Sequence, residues 1–157
     1  MRRDRFVWCG VMFYAILIAL MCFSPQSTTG LLEVSTPGIQ RFGRLLLLLT
    51  PFNSIVNLTQ VKSVGQLIWV FLQNVMNVFL LFPLMLQLLI LFPNLRTVKK
   101  VLSLGFLLSL GIELTQLILD LLIDANRVFE VDDLWTNTLG SYLALVTYRF
   151  FSKKFLK

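Results

Sequence analysis

The stretch VLSLGFLLSLGIELTQLILDLLI, from Val101 to Ile123, is mostly apolar but contains Glu113 and Asp120. As a helix rising about 1.5 Å per residue, it is long enough to cross the ~30 Å hydrocarbon core of a membrane. A charged side chain near the centre of that core costs roughly 3 kcal/mol, so such residues usually face the interior of a bundle and mark a functional site. The stretch therefore predicts a transmembrane helix with one functional face.

The segments on either side have the same apolar character. The chain of 157 residues is 57% hydrophobic and 14% charged, whereas about a quarter of the residues of a soluble domain are charged. A fifth apolar run, Leu45 to Leu49, is too short to span, and we expect it to be a short interfacial or re-entrant segment between spans 1 and 2. We predict one all-α domain over residues 1–157, an integral membrane four-helix bundle with spans at about 6–23, 66–92, 101–123 and 134–151.

The basic residues indicate how the spans are oriented. Lys and Arg accumulate in the cytoplasmic loops of membrane proteins. With the N-terminus inside, the inner segments hold ten of the fourteen Lys and Arg residues, namely Arg2, Arg3, Arg5, Arg96, Lys99, Lys100, Arg149, Lys153, Lys154 and Lys157. No small-x-small cleavage site follows the first span, so we expect it to be retained. The chain is therefore predicted to be a multi-pass protein of the cell (plasma) membrane with both termini cytoplasmic.

The composition also argues against several classes of partner and site. The net charge is +6, but the basic residues form short runs beside apolar stretches, without the interleaved aromatic residues of a nucleic-acid surface. The chain has no His, which counts against a zinc site and against a Ser/His/Asp triad. We therefore expect no nucleic-acid partner, no metal and no cofactor. The immediate partner is the lipid bilayer, and an oligomer is left open.

Polar residues of the second and third spans, and of the segment after them, form the candidate site. Glu113, Gln116 and Asp120 are spaced by three and four residues and so share one helical face. Asn77 lies eleven residues from the outer end of its span and Glu113 ten, which places both about 15–17 Å deep. We expect an outward-facing polar cleft with Glu113 at its floor and Arg127 as the counter-ion of its acids. The candidate functional residues are Asn77, Glu113, Gln116, Arg127, Asp132, Asp133 and Asn137.

Several of these residues also have a purely structural explanation. Intramembrane Asn and Gln side chains commonly hold helices together, at about 0.6–2 kcal/mol per contact. Asp132 or Asp133, at the start of the fourth span, suits a helix N-cap. A neutral Gln could hold helices together at lower cost than Glu113, which makes Glu113 the strongest functional candidate.

Two stretches around this cluster resemble the signature of the VanZ-like membrane proteins. The first is SLGIELTQ, residues 109–116, and the second is RVFEVDDLWTNTLG, residues 127–140. Asn77 with Pro83 six residues later, and Thr50-Pro51-Phe52, are similar to further parts of the family pattern. The resemblance implies a four-span membrane protein associated with low-level resistance to teicoplanin-type glycopeptide antibiotics, for which no reaction is established.

These observations support three functional hypotheses. The leading one is a small, non-enzymatic envelope protein that modulates glycopeptide sensitivity through its polar cleft, with a lipid-linked wall precursor or the glycopeptide as ligand. The second is an enzyme that acts on an envelope lipid or wall precursor, with Glu113 or Asp133 as general base. The third is a proton- or ion-coupled transporter, although many such folds contain internal repeats that this chain lacks. We expect Glu113, Arg127 and Asp133 to form one coupled site, with Gln116 and Asn137 as neighbours.

Overall fold

Four long helices account for most of residues 2–26, 38–56 and 64–155, the part of the chain that the computed structural model describes. These helices confirm the predicted all-α membrane fold, and a small three-stranded sheet is an addition to it. A short 3-10 turn, Pro93–Leu95, joins the second and third long helices. In chain order the elements are α1 (Arg2–Phe23), β1 (Gln40–Phe42), β2 (Leu45–Leu48), α2 (Asn53–Val56), α3 (Val64–Leu91), α4 (Val98–Ile123), β3 (Val128–Glu130) and α5 (Val131–Phe155).

Three of the long helices contain segments that are long and apolar enough to cross a membrane. Within the described residues these segments are Asp4–Phe23, Phe71–Leu91 and Val98–Ile123, which overlap predicted spans 1 to 3. Helix α5 is less apolar, because polar side chains recur along its first half and basic ones along its last turns. The fourth span, residues 134–151, therefore stays a prediction.

The helices run alternately along the bundle and define its two ends. The hydroxyl of Tyr14 on α1 donates to the carbonyl of Leu80 on α3, and the rings of Trp8 and Phe92 pack edge to face. We call the end where α1 and α4 begin the basic end, because Arg96 lies there, and the end where α1 and α4 finish the distal end. An apolar core of Ile18, Cys22, Leu81 and Ile112 joins α1, α3 and α4.

Helix α5 packs against α3 and α4 through small residues. A Cβ atom added at Gly140 would collide with the carbonyl oxygen of Val78 on α3. A Cβ atom added at Gly105 on α4 would lie 2.5 Å from the hydroxyl oxygen of Ser141. Close approach over small residues is a common way for helices to pack inside membranes. The adjoining core consists of Met85, Leu89, Val101, Ala144 and Leu145, all fully buried.

The three strands form one small sheet beside α4 and the start of α5. Strands β1 and β2 pair antiparallel, and β2 also pairs in parallel with β3. Before β2, the Arg44 guanidinium donates to the carbonyl of Leu121 near the distal end of α4, at 3.1 Å. After β2, the backbone N–H groups of Phe52 and Asn53 donate to the carboxylate of Asp132, in the first turn of α5.

The start of α5 lies well inside the bundle, not at its distal end. The hydroxyl of Ser109 donates to the carbonyl oxygen of Asp133 at 3.0 Å. Ser109 precedes Leu121 by twelve residues of α4, which is about 18 Å of helix. Residues 44–53 and strand β3 therefore both descend from the distal end to the middle of the bundle. The sequence predicts that the Leu45–Leu49 run is either interfacial or re-entrant. Its descent into the bundle corresponds to the re-entrant alternative.

Candidate functional site

Side chains from three helices meet where α5 begins. Glu113 on α4 is 1% exposed, and its Oε2 accepts a hydrogen bond from the N–H of Glu130 at 3.0 Å. The carboxyl group of Glu113 is also in hydrogen-bond contact with that of Asp133 on α5. Oδ1 of Asp133 accepts a further bond from the side-chain amide of Asn77 on α3. Three of the predicted site residues, Asn77, Glu113 and Asp133, thus form one connected group, which we call the acid cluster.

The acid cluster brings two carboxyl groups into direct contact. An ionised carboxylate can only accept hydrogen bonds, so a bond between two carboxyl groups needs a proton on one of them. Two like charges at that separation also oppose each other's ionisation. Groups that interact this closely titrate as a pair, and the singly protonated pair is the state that satisfies the contact. The cluster can therefore hold one proton, or a donor that replaces it.

A third carboxyl group, that of Glu130, lies beside the pair and was not among the predicted site residues. Glu130 is the last residue of β3 and is half-buried. Burial, together with the negative charges of Asp133 and Asp132, raises the pKa of Glu130 to about 8. The sequence signal was present, since Glu130 lies within the stretch 127–140, but an acid in a short loop is ordinarily solvated and gave no reason to select it.

Asp132, a predicted site residue, holds the descending chain in place. Its Oδ1 accepts bonds from the N–H of Phe52 at 2.7 Å and from the indole N–H of Trp135 at 3.0 Å, and its Oδ2 accepts from the N–H of Asn53 at 2.9 Å. Phe52 has a φ of 53°, which is uncommon for a bulky residue. Asp132 therefore fixes the turn between β2 and α2 against the start of α5, and a structural role explains its burial.

Arg127 does not bond to the acid cluster, contrary to the expectation that it pairs with an acid there. Its guanidinium donates to the carbonyl oxygens of Met21 at 2.6 Å and Ser24 at 2.7 Å, at the end of α1. Its backbone N–H donates to the carboxylate of Asp120 at 2.8 Å. The last carbonyls of a helix lack intrahelical partners and carry the negative end of the helix dipole, so a cation stabilises them. The partners are backbone atoms 103 and 106 residues away, which no sequence spacing reveals.

Gln116 and Asn137 do not face each other as expected. The side-chain amide of Gln116 donates to the carbonyl oxygen of Cys22 on α1 at 3.0 Å. The amide of Asn137 instead donates to the hydroxyl of Ser109 at 2.9 Å. Asn137 lies deeper than predicted because the chain descends through β3 before α5 starts. Since Ser109 also bonds to the backbone of Asp133, Asn137 supports the acid cluster from the side of the basic end.

Three buried side-chain oxygen atoms on α4 and α5 have no hydrogen-bond donor within the described residues. They are Oε1 of Gln116, Oδ2 of Asp120 and Oδ1 of Asn137. A buried acceptor left unsatisfied costs about 1–3 kcal/mol. These two helices therefore carry buried acceptors that a group with N–H or O–H donors would satisfy. In residues 2–26, 38–56 and 64–155, no three His, Cys, Asp or Glu side chains are arranged to hold a metal ion.

Comparison with known proteins gives one family match. The model of the family described as VanZ/LLP1 matches residues 11–152 of the 157-residue chain. The match includes every residue of the acid cluster and most of all four long helices. No curated protein and no solved structure matches this chain.

Proposed function

Because the chain belongs to the VanZ/LLP1 family, we propose that it is a cell-envelope membrane protein that lowers sensitivity to teicoplanin-type glycopeptide antibiotics by binding a donor-rich ligand at the acid cluster. The convergence of Asn77, Glu113 and Asp133 from three helices carries the proposal. The link to glycopeptides rests on the family resemblance. The ligand is a lipid-linked wall precursor or the glycopeptide itself.

The cost of the acid cluster supports a functional role. Neutral Asn and Gln side chains can join helices inside a membrane, whereas intramembrane carboxyl groups are expensive and usually functional. This chain already joins its helices by neutral groups, as in the bond between Asn137 and Ser109 and that between Gln116 and the backbone of α1. The bundle therefore does not need the carboxyl groups of Glu113 and Asp133 to hold its helices together, which favours a functional role for them.

The surroundings of the acid cluster support a ligand that supplies donors. Asn77, Glu130 and Asp133 are half-buried, so they are not sealed inside the bundle. With both termini cytoplasmic, as the basic residues predict, the distal end faces outward and the re-entrant strands border the approach to the cluster. An ammonium or amide N–H group of the ligand would replace the proton between the two carboxyl groups and so keep both of them bonded.

The test is antibiotic susceptibility in a strain that lacks the gene. Complementation with the wild-type gene should restore resistance to teicoplanin, whereas Glu113→Gln should not. Asp124→Asn is the matched control, because Asp124 is exposed and its φ of 56° is one that Asn adopts readily. This variant should restore resistance to the same extent as the wild-type gene. Immunoblots of the membrane fraction verify equal amounts of each protein. Equal susceptibility with and without the wild-type gene would refute the proposal.

The second candidate is an enzyme acting on an envelope lipid or wall precursor, with Glu113 or Asp133 as general base. It is favoured by the proximity of a carboxyl pair and Glu130, whose pKa of about 8 is near neutral pH, since acid–base catalysis works best with groups that titrate near the working pH. Mass-spectrometric profiles of lipids and wall precursors, wild type against Glu113→Gln, test it. Identical profiles would eliminate it.

A further inference from the structure

An apolar groove runs along the outside of the bundle between α4 and α5, from the basic end to Val131 and Leu134, which flank the first acids of α5. The groove is open to the outside and has a volume of about 730 Å³. Apolar side chains form most of its walls, including Val98, Leu102 and Phe106 from α4 and Leu134 and Leu139 from α5, and the ring of Tyr142 completes them. A cavity of this size with hydrocarbon walls suits an apolar chain and no polar ligand.

Two of the polar groups that border the groove are already bonded elsewhere. The hydroxyl of Thr138 donates to the carbonyl of Leu134 within α5. The indole N–H of Trp135 donates to Asp132, on the side of the re-entrant turn. Neither of these two groups is therefore available to bond to a molecule in the groove, and such a molecule is held mainly by apolar contact along its length.

The groove has the length of one leaflet. On α5 its lining extends from Val131 to Tyr142, eleven residues further on, which is about 16 Å of helix. On α4 the lining begins at Val98, the first residue of that helix, and so reaches the basic end. Half of a ~30 Å hydrocarbon core is about 15 Å. The groove thus matches the depth to which one acyl chain extends from the basic end.

Two exposed cations lie at the basic end of the groove. Lys99 follows Val98 and precedes Phe106 by seven residues, or two helical turns, so it lies on the same face of α4. Arg149 follows Tyr142 by seven residues on α5, and its guanidinium donates to the carbonyl of Arg96, two residues before α4 begins, at 3.0 Å. Neither helix carries an acid between this end and the acid cluster. The groove is therefore apolar along its length and positive at its mouth.

We propose that this groove binds one anionic phospholipid of the leaflet at the basic end, with an acyl chain between α4 and α5 and the phosphate group between Lys99 and Arg149. A second copy of this chain is a poorer occupant. Two copies packed groove to groove with their basic ends together would bring four like charges into contact, which is unfavourable. A phosphate instead pairs with both cations, and Arg in particular binds it through two parallel N–H groups.

Native mass spectrometry of the detergent-solubilised protein, incubated with equal amounts of phosphatidylglycerol and phosphatidylcholine, tests the proposal. The wild type should retain one phosphatidylglycerol molecule in preference to phosphatidylcholine. Lys99→Ala and Arg149→Ala should each lower that retention about fivefold, and the double variant about thirtyfold, from the usual contribution of a basic residue at an anionic membrane surface. Leu102→Trp, which fills the groove, should lower the retention of both lipids.

The matched control is Lys100→Ala. Lys100 belongs to the same basic run, but it points away from the groove and its Nζ donates to the carbonyl of Asn94. An equal loss of phosphatidylglycerol in Lys100→Ala and Lys99→Ala would show that general surface charge attracts the lipid, and would overturn the proposal. Retention unchanged by Leu102→Trp would overturn it too, as would a lipid-free dimer in place of the lipid-bound monomer. Circular dichroism verifies that each variant is as helical as the wild type.

Discussion

Replacing Glu113 by Gln and by Ala should have different effects on stability and the same effect on function. In Glu113→Gln the side-chain oxygen can still accept the N–H of Glu130, which lies 3.0 Å from Oε2 in the wild type. The new amide N–H can donate to Asp133, in the place of the proton between the two carboxyl groups. The Gln variant thus keeps the shape and the hydrogen bonds of the acid cluster but cannot exchange a proton. Glu113→Ala loses both contacts.

The size of the difference follows from these contacts. In Glu113→Ala the N–H of Glu130 and the carboxyl group of Asp133 lose a partner inside the bundle, and a buried donor or acceptor left unsatisfied costs about 1–3 kcal/mol. Removal of a fully buried side chain adds a cavity term that for large-to-small changes brings the total to about 3–5 kcal/mol. Glu113→Gln should stay within about 1 kcal/mol of the wild type. For a chain of this length, each kcal/mol shifts the unfolding midpoint by about 2–4 °C, so the Ala variant should unfold on the order of 10 °C lower.

Thermal unfolding in detergent, together with teicoplanin susceptibility of the complemented strain, measures both effects. Glu113→Gln should keep a near-native midpoint and lose resistance, and Glu113→Ala should lose both. A Gln variant as unstable as the Ala variant would mean that Glu113 is ionised in the cluster, so that no proton links it to Asp133. A Gln variant with full resistance would show that the carboxyl group has no part in the function.

Three further predictions concern the surroundings of the acid cluster. The pKa of Glu130 is raised from 4.5 to about 8, so the folded protein keeps a proton that the unfolded chain releases, and the free energy of unfolding should fall between pH 4.5 and about 8. Glu130→Gln should lessen that pH dependence in thermal unfolding, and an unchanged dependence would contradict the raised pKa. Gly140→Ala should lower the free energy of unfolding by at least about 2 kcal/mol, because the added methyl group meets a backbone carbonyl of α3. Gly111→Ala, whose methyl group meets open space, should be neutral or stabilising by up to about 1 kcal/mol, and equal unfolding midpoints for the two variants would argue against the close contact between α3 and α5. Arg127→Ala should lower the free energy of unfolding by about 1–3 kcal/mol, because the end of α1 loses its cation, and this loss and that of Asp133→Ala should be additive within about 0.5 kcal/mol, since the two side chains share no bonded partner. A coupling energy above about 1 kcal/mol in a double-mutant cycle would instead support a site in which Arg127 and Asp133 are paired.

The helices, and the common level of Asn77 and Glu113, could be predicted from the sequence because each depends on position along a single helix. An apolar stretch of sufficient length specifies a spanning helix, and a constant rise per residue specifies depth. Counting residues from the span ends was therefore enough to place Asn77 and Glu113 at one level. In the structure both residues contact Asp133, which puts them at a similar level along the bundle, although the link needed the position of α5 as well.

The strands and the contacts of Arg127 could not be predicted for a different physical reason. A run of four or five apolar residues, such as Leu45–Leu49, has the same pattern in a strand as in a buried helical turn. Its strand pairing to β3 joins residues more than eighty positions apart and depends on backbone groups, which every residue has alike. For the same reason the sequence pointed Arg127 to acidic side chains, although its partners are the carbonyl oxygens at the end of α1.

The descent of β3 also explains why acids in a short connecting segment become part of a buried site. If α5 began at the distal end, Asp132 and Asp133 would be solvated at the surface, and Glu113 would lie below them without a partner. Because α5 begins midway along α4, Asp132 and Asp133 in its first turn lie inside the bundle, within reach of partners on α3, α4 and the re-entrant turn. Asp132 then holds the re-entrant turn and Arg127 holds the end of α1. These two residues fix the geometry, which leaves Asn77, Glu113 and Asp133 as the group that we propose to bind the ligand.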